Sequence, residues 1–147
     1  MEINQEAPAV ALKEIVIAAP PETVWAVHTD IDSWPNWHPD ITAAELKGPL
    51  EPGSRFTWKS GPGSITSTLD IVEPFRRVAW NGKAMGSRAI HVWRLEPTGD
   101  GTRVVTEESM EGWPVSLLKN FFQKTLDRTL DAWLPALKAA VEARARS

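Results

Sequence analysis

Residues 87–112 read SRAIHVWRLEPTGDGTRVVTEESMEG, two runs of alternating character joined by a turn, and the way the two arms pair decides how the rest of the chain folds. Gly99-Asp100, flanked by Thr98 and Gly101, suits a two-residue hairpin turn with glycine at its first central position. In the first arm, alternation alone leaves Ile90 and Val92 competing with His91, Trp93 and Leu95 for the inner face. The hairpin register resolves this by setting Leu95 opposite Val104, Trp93 opposite Thr106 and His91 opposite Glu108. Arg94 and Arg103 then fall outside, where their charges need not be buried unpaired. His91 and Glu108 are therefore expected to face the interior within reach of each other.

Working outward, AAELKG, SRFTWKS, SITSTLDIV and RRVAWNG are short extended runs separated by turn residues, the spacing of an antiparallel meander. Alternation places Phe56 and Trp58, then Ile65, Ser67, Leu69 and Ile71, then Val78 and Trp80 on inner faces. Val10–Ala18 adds one more strand. Pro20-Pro21 halts it and opens a helix, since proline is tolerated at the first helical position. In ETVWAVHTDIDSW, Val24, Val27, His28, Ile31 and Trp34 recur three and four apart, marking one buried helical face that Pro35 and Pro39 break and restart. After Trp113-Pro114, a stripe through Leu118, Phe122, Leu126, Thr129, Trp133, Leu137 and Val141 predicts a long amphipathic helix ending near Arg144, kinked at Pro135. The class is α+β, with a seven-stranded antiparallel sheet, two short helices after the first strand and one long C-terminal helix. No repeat or linker divides the chain, so residues 1–147 read as a single domain.

Composition narrows the function. A net charge of −3, with sixteen basic residues scattered along the chain, argues against nucleic acid or an anionic membrane surface as partner. No apolar run approaches the ~20 residues of a membrane span, so no membrane insertion is expected. The first dozen residues lack the basic start and apolar run of a secretory leader, and cytoplasm is the expected location. Absence of cysteine excludes disulfides and thiolate chemistry. Histidines at 28, 38 and 91 have no metal-binding spacing. The aspartate-rich stretch from Asp30 fails as a calcium loop, because Pro35 and Ile41 stand where glycine and glutamate are required. GPGS at 61–64 is neither a phosphate loop nor a nucleophile elbow. Eight tryptophans and no tyrosine mark a broad aromatic interior. Trp25, Trp34 and Trp133 are assigned to the core.

The segments IVIAAPPETVW (15–25), DIDSWPNWHPDI (30–41), GSRFTW (53–58), IVEPFRRVAW (71–80), HVWRLEP (91–97) and GTRVVTEES (101–109), followed by the closing helix, together resemble the START-like (SRPBCC) superfamily. Within it they are similar to the polyketide cyclase/dehydrase and lipid-transport families, over nearly the whole chain. The resemblance implies a helix-grip fold, a curved sheet wrapped around the C-terminal helix with a cavity for a small apolar or aromatic molecule. It leaves the activity open, because members include cyclases, aromatases, lipid carriers, hormone receptors and chaperone activators. If the protein is an enzyme, the resemblance implies cyclisation or dehydration with no cofactor and no metal. A non-catalytic carrier or sensor, and a chaperone-activating interaction module, stand beside that reading. A monomer or homodimer is expected.

Two groups of residues are candidates for the site. His91 and Glu108 form a possible acid–base pair, the carboxylate orienting and charging the imidazole, or else a purely structural polar pair. The ligand-binding candidates are Trp37 and His38 at the cavity rim, Trp58, Ser67, Trp80, Trp93 and Thr106 on inner strand faces, and Phe121 and Thr125 on the closing helix.

Overall fold

The computed structural model describes residues 2–146, so Met1 and Ser147 of the expected domain lie outside the described residues. Its sheet has seven antiparallel strands, in spatial order β1 (Ala9–Ile17), β7 (Thr102–Gly112), β6 (Ser87–Pro97), β5 (Arg77–Ala84), β4 (Gly63–Glu73), β3 (Arg55–Ser60) and β2 (Ile41–Lys47). The meander makes β2 through β7 neighbours in turn, while β1 joins β7. Consecutive strands β1 and β2 thus occupy opposite edges, and the crossover between them carries α1 (Pro21–His28) and a 3-10 helix (Ile31–Asn36). A short helix α2 (Trp113–Leu117) leads into α3 (Lys119–Ala145). Leu126, Leu130, Trp133, Leu134, Leu137 and Val141 of α3 are buried against the sheet's inner face, where Phe56, Trp58, Leu69, Val78, Trp80, Trp93 and Val104 share one core with them. This is the α+β helix-grip arrangement.

The hairpin that decides the fold pairs as expected, with Leu95 opposite Val104, Trp93 opposite Thr106 and His91 opposite Glu108. Its turn differs: Gly99 is outside the left-handed region, and the loop closes by Thr98 N–H donating to Gly101 O at 2.8 Å. The register survives because the face pattern of both arms requires it.

Three other expectations are corrected. Val24, Val27, His28, Ile31 and Trp34 are all buried, but they belong to two helices and not one. The chain leaves α1 at Thr29, and the Trp34 indole N–H donates to His28 O at 2.8 Å, satisfying a carbonyl freed at the helix end. In β4 a bulge follows Leu69: Leu69 pairs with Trp80, but Ile71 pairs with Ala79. The extra residue, Asp70, turns Ile71 to the outer face beside Ala79 and Val92, and Val72 replaces it against the core. Finally, the terminal helical region breaks at Leu118, whose ψ of 49° is not helical, and Pro135 lies inside α3. Leu118 is exposed and leaves the buried stripe.

Candidate functional site

Between the inner face and α3 lies a cavity of about 200 Å³, walled by Trp58, Trp80 and Trp133 and carrying Ser67, Glu108, Thr125 and Thr129. Its shape follows from a few local choices. Trp58 is fixed by its indole N–H, which donates to Ser67 Oγ at 3.1 Å across β3 and β4. Opposite, Gly82 lets β5 lie close against the side chains of β4: a Cβ there would stand 2.9 Å from Ser67 Oγ and 3.2 Å from Ile65 Cγ2. Trp133 closes the far wall from α3. Its ring centre lies 4.5 Å from His38, 5.0 Å from Trp34, 5.4 Å from Trp93 and 5.9 Å from Trp37, so the region behind it is filled with aromatic rings. The open volume is what this packing leaves towards the β5–β6 turn and the start of α3.

One polar array runs into the wall. His91 Nε2 lies 2.7 Å from Thr106 Oγ1, and His91 Nδ1 lies 3.5 Å from Glu108 Oε1. Only Glu108 of the three reaches the cavity. Burial among tryptophans lowers the His91 pKa to about 3, with nearby His28 adding to the effect. Burial likewise raises Glu108 to about 8. Both shifts favour the uncharged forms near neutral pH, a protonated carboxyl beside a neutral imidazole. Desolvation penalises both charged forms more than a pair 3.5 Å apart recovers. What the array offers is a neutral carboxylic acid at the cavity surface, backed by a fixed imidazole and a hydroxyl.

The other expected residues divide by position. Trp58, Ser67, Trp80 and Thr125 line the cavity with Glu108, while His91, Trp93 and Thr106 lie buried behind its wall. Trp37 and His38 do not line the cavity; they pack against Trp133. Asp40 N–H donates to His38 Nδ1 at 3.1 Å, and burial keeps that imidazole below its usual pKa. Phe121 is 60% exposed near the start of α3 and does not line the cavity. Sequence reasoning passed over Trp133, Gly82, Thr129 and His28. Trp133 and Thr129 share the stripe with Leu126 but were assigned to packing. His28 was placed on a buried helical face, with no signal that its ring would sit 4.4 Å from Trp93 and 5.9 Å from Trp80. Among the described residues no cluster of three His, Asp or Glu could hold a metal ion, and no helix is long and apolar enough to cross a membrane.

A sheet gripping one long helix over an aromatic interior defines a START-like class of protein. The chain belongs to the polyketide cyclase/dehydrase and lipid transport family, which it matches over residues 10–142. No curated protein matches it. Among solved structures it is similar to the ZhuI aromatase/cyclase from Streptomyces sp. R1128, with a TM-score of 0.83 and 17% identity over 94% of this chain and 96% of that one. The hypothetical protein jhp0584 from Helicobacter pylori superposes with a TM-score of 0.82 at 20% identity, covering 93% and 90% of the two chains. A START superfamily protein from Mycobacterium smegmatis gives 0.77 at 18% identity over 91% and 97%. At such identities the likeness is one of fold.

Proposed function

We propose that residues 1–147 act as one ligand-binding unit whose cavity takes a flat apolar or aromatic molecule of one or two rings, and that Glu108 supplies a proton to an oxygen of that molecule. The observation that carries this is a neutral carboxyl opening into an indole-walled cavity of about 200 Å³. A cavity of ~150 Å³ lined by apolar side chains already accommodates benzene. The family and the likeness to an aromatase/cyclase favour dehydration of a β-hydroxy ketone as the reaction. Glu108 would protonate the departing hydroxyl, which leaves as water, and the carboxylate so formed would take the α-proton, leaving a conjugated double bond and a restored acid. His91 and Thr106 position Glu108 from behind. The step needs no cofactor, and the reading is of a cytoplasmic protein, monomeric or homodimeric.

The benzaldehyde–acetone aldol is a suitable probe, because its dehydration is visible in the ultraviolet. Wild type should accelerate enone formation, and Glu108→Gln should reduce the rate at least about a hundredfold. His91→Ala should reduce it less and shift its pH dependence. Equal rates in wild type and Glu108→Gln would sink the acid–base proposal. Retained quenching of tryptophan fluorescence by bound naphthol would then leave the carrier reading, which the predominantly apolar wall also supports.

A further inference from the structure

One surface feature has no part in the cavity chemistry. Met85 is 91% exposed, Leu117 72%, Trp113 71%, Phe121 60% and Leu118 53%. The fold brings them together from two segments. Ser87 pairs with Gly112, so the Met85-Gly86 turn lies beside Trp113, whose Nε1 comes within 2.7 Å of where a Gly86 Cβ would be. Leu117 and Leu118 sit at the α2–α3 junction, with Phe121 one helical turn further on.

The backbone of the turn argues that these side chains are not incidental. Met85 has φ 49° and Gly86 φ 83°, the pair of positive values that a tight hairpin of this kind requires. Asn or Asp before Gly suits such a turn, and a long apolar side chain does not. Here a methionine is held in a strained conformation with almost its whole side chain in water, so folding does not account for it.

Charge gives the patch a sign. Residues 81–89 and 113–124 contain Lys83, Arg88, Lys119 and Lys124 and no acidic residue. Arg88 pairs with Glu111, whereas Lys83, Lys119 and Lys124 form no ion pair among the described residues. These two segments carry four of the sixteen basic residues of a chain whose net charge is −3. Like charges around the rim oppose pairing with a second copy through this face. Leu117, Leu118 and Phe121 line neither the cavity nor the shallow hollow beside the turn. Exposed apolar side chains flanked by lysines suit insertion into a fluid phase.

We propose that Met85, Trp113, Leu117, Leu118 and Phe121 form a lip that docks on an anionic lipid bilayer, with Lys83, Lys119 and Lys124 facing the lipid phosphates. Lys83, Ala84 and Ser87 also line the cavity, and Thr125 follows Phe121 by one turn of α3, so docking turns the cavity mouth to the bilayer. An apolar molecule dissolved in the membrane would reach Trp58 and Trp80 without crossing water.

The test is flotation with vesicles of phosphatidylcholine containing about one third phosphatidylglycerol, against phosphatidylcholine alone. Wild type should float with the anionic vesicles at low salt, much less with neutral ones, and less as salt rises. A Met85→Ser/Leu117→Ser/Leu118→Ser variant and a Lys83→Gln/Lys119→Gln/Lys124→Gln variant should each lose about tenfold in partitioning, with unchanged melting temperature. Leu12→Ser/Val16→Ser, on the exposed face of β1, should float as wild type does. Failure of wild type to float, or equal flotation of all variants, would overturn the proposal. So would a concentration-dependent dimer in light scattering that only the lip variants abolish, or capture of an acidic protein without vesicle binding.

Discussion

Glu108 and His91 set the pH behaviour of the fold, and the signs can be worked out. Glu108 is raised from 4.5 to about 8, so across that range the unfolded chain has released a proton that the folded chain keeps. Stability must therefore fall as pH rises from 4.5 to 8, by up to ~1.4 kcal/mol per unit. His28 and His91 are lowered from 6.5 to about 3, so the folded chain binds fewer protons than the unfolded chain below 6.5. Their contribution is complete above 6.5 and is lost as pH falls towards 3. Two histidines outweigh one carboxyl on the acid side, and the melting temperature should peak between about pH 6 and 7. In Glu108→Gln the decline from the peak to pH 8 should flatten while the acid limb remains; thermal melts across pH 5–9 would show it, and an unchanged alkaline decline would count against a raised Glu108. At this scale the sequence revealed the pair through strand register. It could not reveal the protonation states, which depend on Trp80, Trp93 and Trp133 arriving from three different elements to exclude water.

Among the elements, each strand and helix was legible where periodicity ran without interruption, and the misreadings fall where one residue changes phase. Asp70 bulges out of β4 although the alternation of SITSTLDIV continues across it. Leu118 breaks the terminal helix although it fits the apolar stripe. Gly112 is the clearest device at such a junction. It has φ 122°, and a Cβ there would approach Gly86 O to 2.4 Å, so it lets β7 turn into α2 against the β5–β6 hairpin. Gly112→Ala should destabilise the protein by about 3 kcal/mol in urea titrations, combining a strained φ with a backbone clash. Because β7 carries Thr106 and Glu108, the same variant should also weaken whatever binds in the cavity. A loss below ~0.5 kcal/mol would mean that the junction is looser than its geometry indicates.

In the molecule as a whole, Trp133 is the piece that holds helix to sheet. It is 1% exposed and touches rings from the crossover, β3 and β6. Removing a buried tryptophan typically costs 3–5 kcal/mol against a total of about 5–15 for a domain. Trp133→Ala should therefore fold marginally or not at all at 37 °C, as circular dichroism would record, and a cooperative fold of wild-type stability would contradict the role given to it. The overall architecture was readable because seven strands and a terminal helix follow in an order few folds share. The size of the cavity was not, since eight tryptophans can line a space or fill it. Here Trp34, Trp37 and Trp93 fill the region behind Trp133, while Trp58, Trp80 and Trp133 wall the space in front. If this remaining space is the binding site, filling it must abolish binding. Calorimetric titration of naphthol into wild type and into Thr125→Trp, whose larger side chain would fill the cavity from α3, is the measurement that decides it. Wild type should show saturable one-to-one binding with a negative heat-capacity change, and Thr125→Trp, with a wild-type circular dichroism spectrum, should show none. Equal binding by both proteins would place the ligand elsewhere and contradict it.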